Sequence, residues 1–157
     1  MGADGLRLSG PADCQAVAAF LTAHWGAPLM ALHGRLIDLR DLPAIVTEPF
    51  GRGLATFDPE AGELMSLDAD PPGRGVGTAL VEAVAAELKA RGHRVMRVTT
   101  TNDNLDALRF YQRRGFRLVV LRRGAVEAAR RLKPSIPLVG AHGIPIRDEI
   151  ELERDLG

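Results

Sequence analysis

Pro71-Pro72-Gly73-Arg74-Gly75-Val76-Gly77-Thr78 is the stretch that decides how this 157-residue chain is read. It follows an apolar segment, Glu63–Ala69, and leads into Thr78–Ala90, where Leu80, Val84 and Leu88 recur at i, i+4 beside Val81 and Ala85. That period is one face of an amphipathic helix, and Gly92 is its natural C′ residue. Glycines let the backbone pass close to a ligand, while a helix N-terminus presents unpaired N–H groups and a partial positive charge. The junction is therefore an anion cradle, suited to phosphates. A P-loop would need Gly-Lys-Ser/Thr, and Gly77-Thr78 has no lysine; a dinucleotide fingerprint would need a third glycine, which is missing from either possible start. A tight turn entering a helix, with no ligand, is the competing reading.

Upstream, Ala44–Glu48, Leu54–Phe57 and Glu63–Ala69 are short strands separated by Pro49-Phe50-Gly51-Arg52-Gly53 and Asp58-Pro59-Glu60-Ala61-Gly62, the spacing of an antiparallel meander. Leu6–Leu8 reads as a strand. Ser9 and Pro11 sit as helix-start residues ahead of Ala12–His24, where Val17, Phe20, Leu21 and Cys14 share a core face. Leu29–Asp41 mixes apolar and polar positions without a period and reads as a loop or short helix. Downstream, Val95–Thr100 is a β-branched strand reached by a helix crossover, so it should run parallel to Glu63–Ala69. A helix over Leu105–Arg114 is opened by Asn102-Asp103-Asn104 and closed by Gly115; strand Arg117–Leu121, helix Ala125–Leu132, a loop from Pro134 to Pro145 and strand Ile146–Leu152 follow. This order predicts an α+β fold with a mixed sheet in a single domain over residues 1–157.

With 46% hydrophobic, 25% charged and 4% aromatic residues, the composition is that of a globular domain with an aliphatic core. Cys14 is the single cysteine, so no internal disulfide is possible, and the four histidines have no metal-ligand spacing. No apolar run approaches the ~20 residues of a membrane span, and the N-terminus lacks a basic-then-apolar leader pattern, so a cytoplasmic protein is expected. The formal charge of zero argues against a nucleic-acid partner. It conceals an asymmetry: net −6 over residues 1–70, +9 over 71–134 and −3 over 135–157. The middle segment suits an anionic ligand, or two helices with solvated arginine faces.

The glycine loop and Asn104-Leu105-Asp106-Ala107-Leu108-Arg109-Phe110-Tyr111-Gln112-Arg113-Arg114-Gly115-Phe116 together resemble the GCN5-related N-acetyltransferase (GNAT) family. The loop is similar to its Q/R-x-x-G-x-G/A pyrophosphate motif, and the second segment to its N-x-x-A-x-x-F-Y-x-x-x-G-F pattern; Pro72 stands where the family usually has Gln or Arg. The resemblance covers roughly residues 44–122. It implies a central, mostly antiparallel sheet with flanking helices, whose parallel central strands Glu63–Ala69 and Val95–Thr100 splay apart around acetyl-CoA. It further implies that the backbone from Arg74 through Gly75, Val76 and Gly77 to Thr78 takes the pyrophosphate, that the pantetheine pairs with the strand edge at Leu67 to Ala69, and that Arg74 and Arg114 contact phosphates. Asn104 would cap its helix and reach the cofactor arm. Tyr111, the only tyrosine, stands where the family places its general acid.

Acetyl transfer to an amine needs a base for the amine proton and an acid for the departing thiolate. A phenol of pKa ~10 matches a thiolate of similar basicity. For the base, Glu63, Asp68 and Asp70 all flank the central strand; Glu63 is favoured, because strand alternation puts it beside Met65 and Leu67, where apolar neighbours would raise its pKa. The acceptor is expected to be an amine of a small molecule or peptide. Its site would be walled by the residues after Gly124 and by Leu29–Asp41. Arg122, Arg123, Arg130, Arg131 and Lys133, partly offset by Glu127 at helical spacing to Arg130 and Arg131, favour an anionic acceptor. A non-catalytic acyl-CoA-binding module is the alternative function, and a homodimer is compatible with either.

Overall fold

Short β-rich segments punctuated by Gly, Pro and Asp pair with their neighbours in sequence, and here they set the frame. A computed structural model describes residues 5–157; the N-terminal stretch read above for a leader pattern begins outside the described residues. In chain order the elements are β1 (Leu6–Leu8), α1 (Cys14–Trp25), β2 (Leu29–Leu32), β3 (Arg35–Asp38), β4 (Ala44–Thr47), β5 (Gly53–Asp58), β6 (Glu63–Ala69), α2 (Val76–Ala90), β7 (Val95–Thr101), α3 (Leu105–Gln112), β8 (Arg117–Arg122), α4 (Ala125–Leu132) and β9 (Glu149–Asp155). They cluster into two compact units, one of residues 5–29, 38–96 and 156, the other of 30–37, 97–155 and 157.

In the first unit β1, β4, β5 and β6 form an antiparallel run. The expected meander is present, but it carries a bulge. Thr56 pairs with Ser66 and Phe57 with Leu64, which leaves Met65 as the extra residue of β6. One face of the β5–β6 pair therefore carries Gly53, Ala55, Phe57, Leu64, Leu67 and Ala69, and the other carries Leu54, Thr56, Asp58, Glu63, Ser66 and Asp68. The first face receives α2: a Cβ built on Gly53 would lie 2.7 Å from Val76 Cγ1, 3.0 Å from Leu80 Cδ1 and 2.9 Å from the Asp68 carbonyl oxygen. Val76, Leu80, Val81, Val84 and Leu88 of α2 are buried, as the period predicted. Only glycine lets the helix sit this close. Gly53→Ala should destabilise the protein by about 1–3 kcal/mol, the cost of overpacking, read as a lower urea midpoint at unchanged m-value; wild-type stability would mean that α2 yields freely.

α1 buries Val17, Phe20 and Leu21, and its last residue, Trp25, reaches Asp68 on the second face. Cys14 departs from expectation: it is exposed at the first position of α1, because the turn Pro11–Asp13 is a separate 3₁₀ segment that rotates Cys14 off the buried stripe. Ser9 does not cap this start either. The Asp13 carboxylate accepts from the Gly10 N–H at 2.7 Å, and the Ser9 hydroxyl accepts from Ala44 N–H.

The second unit holds most of the hairpin β2–β3, which was expected as loop or helix. His33 and Gly34 both have positive φ, 54° and 72°, the turn that matches strand twist. Histidine in place of the usual Asn or Asp hid it. β9 lies between β7 and β8 and is antiparallel to β8. It starts at Glu149, three residues later than the alternation suggested, because the Arg147 and Asp148 N–H groups donate to Asn102 Oδ1 and the Ile146 N–H to the Leu138 carbonyl, so none of the three enters the ladder.

Candidate active site

The first unit contributes the glycine loop. α2 starts at Val76, two residues before the hydrophobic period begins, with Gly75 as its N-cap at φ 80°; the Gly75 carbonyl accepts from Ala79 N–H at 3.1 Å. Gly73 also has φ 80°, and a Cβ on either glycine would meet nothing within 4 Å. The backbone at both points borders open space, which is the condition for a ligand to approach it. The buried Val76 side chain, set against Gly53, anchors this helix end to the sheet. Gly77 and Thr78 lie in the first turn of α2. Arg74 is exposed on the loop, just after β6 has carried Leu67 and Ala69, both half-buried, toward it.

The three candidate carboxylates do not stand alike. Because of the bulge, Glu63 shares a face with Ser66 and Asp68 instead of Met65 and Leu67. Asp68 accepts from Trp25 Nε1 at 2.7 Å, across 43 residues of sequence. Burial pushes its carboxyl above the usual range, against the opposing pull of the indole N–H and of His24. His24 stacks on Phe20 with centroids 4.1 Å apart, and its Nε2 lies 3.7 Å from the exposed Asp70. Nothing in the motifs pointed to this group, although the chain's only tryptophan, at a helix end, needs an acceptor for its N–H when it packs.

The second unit contributes α3. Asn104 Oδ1 accepts from Ala107 N–H at 3.1 Å, so the expected cap is formed. The helix ends at Gln112, and Gly115 at φ 90° closes it: Phe116 N–H donates to the Tyr111 carbonyl and Gly115 N–H to that of Gln112, a Schellman closure. Tyr111 is 8% exposed, with its ring edge-on to Phe110 at 5.3 Å and to Phe116 at 5.2 Å. Arg114 folds back: its guanidinium carbon lies 3.6 Å from the Phe110 ring centroid, and Nη1 donates to the Phe110 carbonyl.

A cavity of about 570 Å³ is lined by Arg123, Glu127, Arg130, Arg147 and Asp148. Arg130 is committed to structure, donating to the carbonyls of Ile136, Pro137 and Ile146. Glu127 forms no ion pair with Arg130 or Arg131 among the described residues, since Arg130 turns to those carbonyls instead. No helix of the described residues is long and apolar enough to cross a membrane.

Residues 45–116 match the Acetyltransferase (GNAT) family. The uncharacterized protein YxbD of Bacillus subtilis (strain 168) is 39% identical over 150 residues, which cover 89% of this chain and 91% of that protein. Among solved structures, a GNAT family acetyltransferase from Elizabethkingia anophelis with acetyl-CoA bound superposes with a TM-score of 0.64 at 16% identity, covering 97% of this chain and 99% of that one. An N-acetyltransferase from Staphylococcus aureus Mu50 gives 0.64 at 20% identity, covering 97% and 98%. The chain belongs to the GNAT family of acetyltransferases. Its fold is the family's α+β fold with a mixed sheet.

Proposed function

We propose that this chain transfers an acetyl group from acetyl-CoA directly to an amine of a small molecule or peptide, and that residues 1–157 form one catalytic domain. The family match runs through both units, which supports the second point. The observation that carries the first is the pair of left-handed glycines opening α2 onto free space, together with a tyrosine locked at the end of α3.

Acetyl-CoA supplies the activated acyl group. The N–H groups from Arg74 to Thr78 cradle its pyrophosphate, the β6 backbone from Leu67 to Ala69 orients the pantetheine, and Asn104 reaches the same arm while capping α3. Arg74 is free to pair with phosphate; Arg114 would first have to leave Phe110. As the amine nitrogen bonds to the acyl carbon and the carbon–sulfur bond breaks, the Tyr111 phenol gives its proton to the sulfur. Of the carboxylates, Asp68 is assigned the amine proton in preference to Glu63, since desolvation already favours its protonated form. A cytoplasmic location fits the exposed thiol of Cys14, which a reducing compartment keeps unpaired.

The test is free-thiol release over a panel of amines, amino acids and peptides, alongside calorimetric titration with acetyl-CoA. Binding without thiol release would leave a non-catalytic acyl-CoA module. For the base the expected result is a pH profile. Asp68 works only when ionised, and its folded pKa is raised, so kcat/KM should fall as pH drops through that raised value. Trp25→Phe removes a hydrogen bond that favours the ionised form, so this acid limb should move to higher pH; His24 and Asp70 remain as the neighbouring charges. Asp68→Asn should abolish the limb, whereas its loss in Glu63→Gln alone would transfer the role to Glu63.

A further inference from the structure

β8 spells Arg117-Leu118-Val119-Val120-Leu121-Arg122, the same read in either direction. Its four central side chains are exposed one after another: Leu118 at 50%, Val119 at 46%, Val120 at 36% and Leu121 at 59%. The strand is the last of its sheet; it pairs with β9, and among the described residues no strand pairs with its other edge. Edge strands are ordinarily blunted by charge, proline or brevity. Here six residues carry charge only at the two ends, which leaves the apolar centre open to a further strand.

The register with β9 says which strand fits. Leu118 lies opposite Leu152 and Leu121 opposite Ile150, on one face; Arg117, Val120 and Arg122 lie opposite Glu153, Glu151 and Glu149, on the other, and Val119 is the bulged extra residue. In a regular strand residues three apart point to opposite faces. The bulge instead brings Leu118 and Leu121 to one face and Arg117 and Arg122 to the other. A two-fold axis normal to the sheet reverses strand direction and keeps the faces. Only with this bulge, then, can the palindrome pair antiparallel with itself, Leu118 meeting Leu121 and Arg117 meeting Arg122 of a second copy. Arg122 has Glu149 opposite it and Glu151 bonded to its Nη2 at 3.1 Å, so the arriving arginine meets two carboxylates as well as one guanidinium. A bulge deters a flat foreign strand, whereas a copy bulged at the same point has the matching twist.

We infer that this chain forms a homodimer in which β8 pairs antiparallel with β8 of a second copy, about a two-fold axis at Val119 and Val120. Such an interface is isologous and closed: each edge is covered by one other, and no fibre grows from it. The pairing stands apart from the acyl-transfer reading, because mass and cross-linking report it without any activity.

Sedimentation equilibrium is the first measurement. Wild type should be dimeric at concentrations on the order of 10–100 μM, since one strand pair lies at the small end of interfaces. Leu118→Lys/Leu121→Lys sets like charges directly opposite each other and removes apolar contact, so it should weaken association roughly tenfold or more. Both leucines are exposed in the single chain, so its fold should persist. Leu36→Lys, at a leucine 47% exposed on β3 in the separate two-stranded sheet, should leave association unchanged. The register is read by cross-linking in a Cys14→Ser background. Leu118→Cys protein mixed with Leu121→Cys protein should oxidise to a covalent dimer faster than either alone, because those two positions face each other across the axis. This mixture also decides the matter if the double lysine variant fails to fold. A monomeric wild type, a folded double variant that still dimerises, equal dissociation in Leu36→Lys, or cross-linking as fast in either cysteine variant alone overturns the inference.

Discussion

Tyr111→Phe should lower turnover about 10²-fold or more, the range lost when a positioned general acid is removed, and should leave the Kd for acetyl-CoA nearly unchanged. The substitution keeps the ring and deletes only the hydroxyl, so the edge-on contacts with Phe110 and Phe116 survive. The Schellman closure that fixes the residue uses the Tyr111 carbonyl and so survives too. What is lost is a proton source. A departing thiolate can instead take its proton from water, but water must be found and oriented at each turnover, whereas the phenol is held in place by two rings and a closed helix end. Paired measurement of turnover and Kd decides: equal turnover in the two proteins returns Tyr111 to a packing role.

The parts of this fold that were legible in the sequence are those where local physics suffices. The α2 stripe, the Asn104 cap, the Gly92 and Gly115 terminators and the three strands of the meander each depend on residues close in sequence, and each is present. What was not legible depends on partners far along the chain. The bulge at Met65 arises from pairing with β5 and moves Glu63 to the other face of its strand, which no alternation rule applied to β6 alone could reveal. The start of β9 is displaced by Asn102, some 45 residues away, and the Asp68–Trp25 bond spans 43. The positive middle segment is the most instructive case. Arg91 pairs with Glu87, Arg97 with Glu153, Arg109 with Asp106 and Arg122 with Glu151, while Arg114 and Arg130 turn to carbonyl oxygens. Glu87 and Asp106 lie within the segment and are already in its count, so only Glu151 and Glu153 lower the net +9, and the hydrogen bonds to carbonyls fix where Arg114 and Arg130 point without removing their charge. Arg74 and Arg123 keep theirs for solvent or substrate, and a count along the chain treats all of these alike.

Gly75→Val should reduce acetyl-CoA affinity by at least 10²-fold while the protein still folds. Two effects combine at this residue. At φ 80° a β-branched side chain is strained by roughly 1–2 kcal/mol, worth a Tm loss of only about 2–8 °C in a chain of this size. The new Cβ meets no protein atom within 4 Å, so the fold accommodates it; the side chain instead projects into the space from which phosphate oxygens would approach the first-turn N–H groups. Strain and obstruction are separable, because the same helix carries a second glycine of the same kind. Gly92, just past the other end of α2, has φ 95° and equally open surroundings. The 15-residue helix puts it roughly 22 Å away at 1.5 Å per residue. Gly92→Val should therefore lower Tm by a similar amount and leave acetyl-CoA affinity intact. If both variants bind as wild type does, or if both lose binding equally, the loop is a turn that happens to open a helix, and the phosphates are held elsewhere.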